Sequence, residues 1–283
     1  MPDEIVRLPD GRRMGVATHG DPDGRLVVLN HGTPASRLGH EFTDAPARAR
    51  GLRVVCPDRP GIGRSDPRPL RTLAGWADDV IALADVLGVD RFAVLGYSGG
   101  GPYALAAAAG APDRVTAVGL MAGAGPLDRP GALQGMGKTD LQLLDLVQKR
   151  PWAARALLRV LHTGARVSPS FALRSFKREV SPVDQRVLDE QGPAIMAFFV
   201  EAFRQGPQGV VDDYLLSARP WGFVLEEVRV PVHVWQGEDD LMVPMHQAED
   251  MAARLPNATL HRLQGVGHVS IQLHIGEILD ALV

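Results

Sequence analysis

Along the first 125 residues, short apolar runs alternate with amphipathic stretches. Residues 26–29 (Leu-Val-Val-Leu), 52–56 (Leu-Arg-Val-Val-Cys), 91–95 (Arg-Phe-Ala-Val-Leu) and 115–121 each read as a strand. Their nearly continuous apolar character fits strands covered on both faces, as in a parallel sheet under helices. Between them, Leu73, Trp76, Ala77, Val80, Ile81, Ala84 and Leu87 recur at helical spacing, and Gly88 stands where a helix C-cap belongs. Pro102 followed by an alanine-rich stretch, 104–109, predicts a further helix. After Ala122 the pattern changes. As far as about Pro220 no strand pattern occurs, and Pro and Gly punctuate helical segments at 140–149, 152–162, 170–180, 183–191, 194–205 and 210–218. Alternation returns with a strand at 232–235, a helix over 245–255, a strand at 259–263 and a last helix from Val269. The expected fold is α/β: a mostly parallel central sheet with helices on both faces. Residues 1–125 and 220–283 would form its core, and 126–219 an inserted helical module.

Composition narrows the setting. At 283 residues, 45% apolar and 22% charged, the chain suits one large domain or a domain with an insertion. A formal net charge of −3 argues against a nucleic-acid or membrane partner, which would need clustered Lys and Arg, although the inserted module is richer in bases than in acids. The expected partner is a small-molecule substrate. Cys56 is the only cysteine, which excludes an intrachain disulfide and suits a reducing compartment. At the end of an apolar strand it reads as a small core residue. Met1-Pro2-Asp3-Glu4-Ile5 carries acids where a secretory signal would be apolar, and no run approaches transmembrane length. A cytoplasmic location is expected.

Chemistry gathers at three turns. Gly96-Tyr97-Ser98-Gly99-Gly100 lies between a predicted strand and helix, the setting of the nucleophile elbow G-x-S-x-G. There the serine hydroxyl stands exposed beside a helix N-terminus, whose free N–H groups stabilise a developing oxyanion. The second turn, 237–244 (Gly-Glu-Asp-Asp-Leu-Met-Val-Pro), follows the strand at 232–235, and the third, Gly265-Val266-Gly267-His268, follows the strand at 259–263. All three fall at the carboxyl edge of the sheet, where open α/β folds bind ligands. The order serine, acid, histidine differs from those of chymotrypsin and subtilisin.

With His31-Gly32-Thr33-Pro34 matching H-G-x-P and residues 58–65 matching D-x-x-G-x-G-x-S, the chain resembles the α/β-hydrolase superfamily, in its serine-nucleophile branch with a helical cap. The resemblance implies Ser98 as nucleophile, His268 as general base and then acid, and Asp240 as the residue orienting the imidazole. Within the acid loop Glu238 and Asp239 compete with Asp240, and some members draw the acid from the position of Asp128. The backbone N–H groups of Thr33 and Gly99 would form the oxyanion hole. His31 would shape that loop, while His246 and His274 read as structural. The 58–65 stretch lacks a third glycine and reads as a structural turn rather than a nucleotide loop. No set has metal-ligand spacing, so neither metal nor cofactor is expected. Serine at position 98 argues against the aspartate-nucleophile dehalogenase and epoxide hydrolase branches. Gly99 suggests a roomy site floor, and Thr33 replaces the aromatic residue common in cofactor-free haloperoxidases. Met196 and Phe199, with Phe198 and Phe203, offer a cap surface for substrate. The implied activity is hydrolysis of a small or medium carboxylic ester, lactone or thioester through an acyl-enzyme. The alternatives are a lyase or carbon–carbon bond hydrolase on the same triad, or a slow-turnover small-molecule receptor.

Overall fold

Eight strands form one sheet in the computed structural model, which describes residues 3–283; Met1 and Pro2, from the acidic N-terminal segment, lie outside the described residues. The strands are β1 (Asp3–Arg7), β2 (Arg13–Gly20), β3 (Arg25–Asn30), β4 (Leu52–Pro57), β5 (Phe92–Tyr97), β6 (Val115–Met121), β7 (Val232–Gly237) and β8 (Ala258–Leu263), in spatial order β1-β2-β4-β3-β5-β6-β7-β8. β1 and β2 pair antiparallel, as do β2 and β4, and every other pairing is parallel. The helices are α1 (Asp44–Arg48), α2 (Trp76–Val86), α3 (Gly101–Gly110), α4 (Lys138–Lys149), α5 (Pro151–Val167), α6 (Pro169–Lys177), α7 (Pro182–Ala202), α8 (Gln208–Ser217), α9 (Met245–Arg254) and α10 (Ile275–Asp280).

Alternate residues of each inner strand enter opposite cores. Val28, Val55, Val94 and Val118 pack with residues of α2, α3 and α9, while Val27, Leu29, Val54 and Leu95 pack with those of α1 and α10. Burial on both faces explains why these strands read as unbroken apolar runs. Cys56 belongs to the second core, and burial pushes its thiol well above the ordinary range.

Three features differ from the expectations. The antiparallel β1 and β2 carry no simple apolar alternation: β1 is mostly exposed at the sheet edge, and β2 contains Gly15 and Gly20. The segments at 183–191 and 194–205 are one helix, α7, running through Pro193. A proline inside a helix removes a single ladder bond and crowds the preceding turn, and packing of the neighbouring turns in the insertion outweighs that cost. The last helix starts later, because Ser270–His274 is a 3₁₀ turn before α10.

Helices α4 to α8 lie between β6 and β7 in the chain, which leaves the sheet at the carboxyl end of β6 and re-enters it at the amino end of β7, parallel to β6. β5, near the centre of the sheet, delivers the serine corner at its carboxyl end. Gly100 is indispensable there, since a Cβ at this position would be driven into the Asn30 carbonyl at the end of β3. Gly100→Ala should cost about 3 kcal/mol, because neither backbone can yield. Thermal and denaturant unfolding of the purified variant would measure the loss; a midpoint unchanged from the parent protein would contradict this packing account.

Candidate active site

Ser98 follows β5 directly and has φ 54°, a left-handed angle that non-glycine residues rarely adopt. The bend turns the chain at once into a 3₁₀ segment, Ser98–Gly100, and then into α3. Ala124, from the loop after β6, donates its N–H to the Ser98 carbonyl at 3.0 Å and holds the bend from the far side. Ser98 remains partly exposed, with its Oγ 2.9 Å from His268 Nε2.

His268 lies in the loop after β8 and is buried. Its Nδ1 is 2.8 Å from Asp240 Oδ2. A carboxylate can only accept, so Nδ1 carries the proton and Nε2 is left to accept from the Ser98 hydroxyl. Asp240 is buried and held on every side. Its Oδ1 accepts from the N–H groups of Met242 and Val243 at 2.8 and 2.9 Å, and its Oδ2 also accepts from Gln236 Nε2 at 3.0 Å. Asp239 and Glu238 are exposed, as is Asp128, so among the competing acids the structure brings Asp240 alone to the imidazole. His246 is half-buried on α9, and His274 closes the 3₁₀ turn with its Nδ1 3.2 Å from Glu277.

The loop Gly32–Thr33 runs beside the corner, and a Cβ built on Gly32 would lie 3.3 Å from Ser98 Cβ. Among the described residues the Thr33 N–H makes no hydrogen bond. The Gly99 N–H belongs to the first turn of the helical segment, where no intrahelical acceptor exists. Gly99 does not open a roomier floor. A Cβ there would meet Thr33 Oγ1 at 2.9 Å, so the threonine side chain occupies the space that the missing side chain leaves.

Several residues at the site had no signal in the sequence. Asp184, in the first turn of α7, is fully buried; its Oδ2 accepts from the His268 N–H at 2.8 Å and its Oδ1 from Val269 and Ser270 N–H at 3.0 and 2.8 Å. The Ser270 hydroxyl donates to the same carboxylate at 2.8 Å. Successive N–H groups converging in this way form an anion-binding nest, here filled by a side chain of the insertion. Asp213 on α8 makes a second tie. Its Oδ2 accepts from Arg59 Nε at 2.9 Å, and its Oδ1 from Tyr103 and Arg71 at 2.9 and 2.7 Å. Arg59 in turn donates to the Gly32 carbonyl and Thr33 Oγ1, both at 2.8 Å. Burial alone would raise the Asp213 carboxyl, but Arg59 and Arg71 overcome it and hold Asp213 well below the usual range. Tyr97, inside the elbow motif, donates its hydroxyl to the His268 carbonyl at 3.1 Å and stacks on the imidazole at 5.5 Å.

His31 is buried, its Nδ1 2.9 Å from the Gly32 carbonyl, and burial next to Arg59 keeps it neutral. In the 58–65 turn, buried Asp58 accepts from the N–H groups of Arg37 and Arg64. The cap residues divide between two clusters. Met196 packs with Val269 and Met242, each next to a loop that carries an active-site side chain, and Phe199 packs 5.1 Å from Phe203 among α4, α5 and α8.

A family model of the alpha/beta hydrolase fold matches residues 25–274. The chain belongs to the α/β-hydrolase family. Its relatives include the protein named magnesium-chelatase 30 kDa subunit from Rhodobacter capsulatus, 32% identical with 91% of this chain and 87% of that protein aligned. They also include a non-heme chloroperoxidase from Streptomyces lividans, 28% identical with 95% and 94% aligned. A thermophilic esterase from Thermogutta terrifontis superposes with a TM-score of 0.71 at 22% identity, covering 99% of this chain and all of that one, which establishes the shared hydrolase fold. Asp184 comes from α7, far from His268 in the chain, so a motif built on the sheet loops does not register this tie.

The charge around His268 fixes the direction of its titration. Burial lowers the imidazole pKa, but Asp240, then Asp184 and Asp140, favour the imidazolium, and the balance lies above 6.5. Nuclear magnetic resonance should place the His268 midpoint above 6.5 in the parent protein. Asp240→Asn should move the midpoint down, because it removes the largest favourable charge while keeping the shape. A midpoint below 6.5, or one unmoved in Asp240→Asn, would contradict this electrostatic account.

Proposed function

We propose that the protein is a serine hydrolase that cleaves a small or medium carboxylic ester, lactone or thioester through an acyl-enzyme on Ser98. The observation that carries this reading is the continuous chain Ser98 Oγ, His268 Nε2, His268 Nδ1, Asp240 Oδ2, with steps of 2.9 and 2.8 Å at either side of the imidazole. A free hydroxyl is too weak a nucleophile at neutral pH, and a neutral imidazole at hydrogen-bond distance takes its proton as the bond to the acyl carbon forms. Asp240 keeps Nδ1 protonated and balances the imidazolium. The Thr33 and Gly99 N–H groups receive the oxyanion. The imidazolium then protonates the leaving alcohol or thiol, and a water molecule, giving its proton to His268, releases the acid.

The guanidinium bound to the oxyanion loop bears on the substrate. Arg59 is fully buried and engaged by Asp213, so it offers no free cation to an anionic acyl group. This favours a substrate that is neutral around the reacting carbonyl. The inserted residues 126–219 serve in this reading as a lid that sets substrate size, with Met196 and Phe199 on its inner helix. The contact of Asp184 with the histidine loop supports it.

Three outcomes test the proposal. Fluorophosphonate should label Ser98 alone, and Ser98→Ala should abolish both labelling and turnover of p-nitrophenyl esters while leaving the fold intact. Asp240→Asn should lower kcat by about 10⁴ with little change in KM, against a mild effect of Asp239→Asn. Phe199→Ala should alter the preference among acyl chain lengths more than it alters acetate ester turnover. Inertness toward every ester, with cleavage of a carbon–carbon bond instead, would select the alternative chemistry; tight binding without turnover would select a receptor.

A further inference from the structure

Helix α5 has two apolar faces. Ala154, Leu158 and Ala165 are buried on the inner one, in the insertion. Trp152, Ala156, Val160, Thr163 and Val167 follow one another at intervals of four, four, three and four residues and so fall on a single outward line. Trp152, Val160 and Val167 are 67%, 68% and 79% exposed, and Phe171, just beyond the turn into α6, is 59% exposed. Single exposed apolar residues are ordinary, but an aligned set along one helix is a surface. Arg155, Arg159 and Arg166 border that line on one side, by the same 100° per residue arithmetic.

The charge around this line is as one-sided as its apolarity. From residue 146 to residue 178 the chain carries eight Lys or Arg and no Asp or Glu, although its formal net charge is −3. The whole-chain charge that argues against an anionic surface therefore conceals a local cationic one. No helix among the described residues is long and apolar enough to cross a membrane. A helix with aromatic and β-branched residues outward and arginines beside them instead suits the plane of a lipid interface.

We propose that the outward face of α5, with the start of α6, docks on anionic phospholipid. Two features favour lipid over another protein. A second copy of the chain would set arginine against arginine, because this stretch holds no acid to pair with them. A protein partner is ordinarily held by an anchor side chain in a recess, and here the apolar groups project from a convex helix, which a fluid acyl layer accommodates without any pocket. Attraction to anionic headgroups supplies the orientation and falls with salt. None of these residues belongs to the Ser98 site, so the inference stands apart from the hydrolase reading.

Tryptophan emission gives a local readout. Of the four tryptophans, Trp76, Trp221 and Trp235 are buried, leaving Trp152 as the exposed reporter. The full-length protein should sediment with vesicles of phosphatidylglycerol and phosphatidylcholine in equal parts, with a blue shift of its emission, and remain in solution with phosphatidylcholine alone. Raising the salt should weaken binding at least about tenfold. Val160→Ser with Val167→Ser, and separately Arg159→Gln with Arg166→Gln, should each reduce binding about tenfold or more, while turnover of a small soluble ester and the melting temperature stay at parent values. Retention in the supernatant with anionic vesicles, or equal binding to both vesicle types, would overturn the proposal. So would a dimer, seen by light scattering, that Trp152→Ser dissolves, because it would identify a second copy as the occupant.

Discussion

A hydroxyl can stand clear at the end of a buried strand only if the chain turns within a single residue, and at Ser98 that turn requires a φ of 54°. Such a conformation costs on the order of 1–3 kcal/mol for a residue with a side chain, and it persists only where the surroundings over-determine it. The surroundings here are the middle of the sheet. β5 is hydrogen-bonded on both edges and covered on both faces, Gly100 admits the end of β3 at close range, and the loop after β6 binds the Ser98 carbonyl. The strain at one residue is thus met by three strands and a helix, and the Ser98 hydroxyl inherits their rigidity.

Around this corner, buried charge does the positioning that apolar packing cannot. Asp184 and Asp213 both come from the inserted helices, and neither reaches the serine. One gathers the N–H groups of the histidine loop, and the other holds the Gly32–Thr33 loop through Arg59. Each is stable where it is because its acceptor sites are filled: Asp184 by a nest of backbone donors, Asp213 by two guanidinium groups and a phenol. The negative potential of Asp184 then adds to that of Asp240 at the imidazole.

The legible part of the molecule was the part written in local chemistry. β3, β4, β5 and β6 announce themselves because a strand buried on both faces has no reason to alternate. The corner at Ser98 and the loop of Asp240 are legible because the required geometry restricts which residues can stand beside them. β1 and β2 escape notice since β1 is exposed along most of its length and β2, though buried, spends two of its eight positions on glycine, so neither has much apolar signal to give. Pro193 suggests a break that packing of α7 overrides. Asp184, Asp213 and Tyr97 are hidden for a different reason. Each acts on a partner far away in sequence, and no spacing rule links Asp184 to His268 across the intervening β7 and β8.

The two carboxylate ties also bear on how this protein could be taken apart. Helices α4 to α8 lie between two adjacent strands, β6 and β7, an arrangement that looks convenient for exchange against another helical module. Yet a transplanted module without an acid at both places would leave Arg59 buried without the carboxylate that balances its charge and three backbone donors of the histidine loop facing nothing. The sheet and its inserted helices are therefore not interchangeable parts. They share one electrostatic skeleton, and a change of module on either side has to carry the matching charges with it.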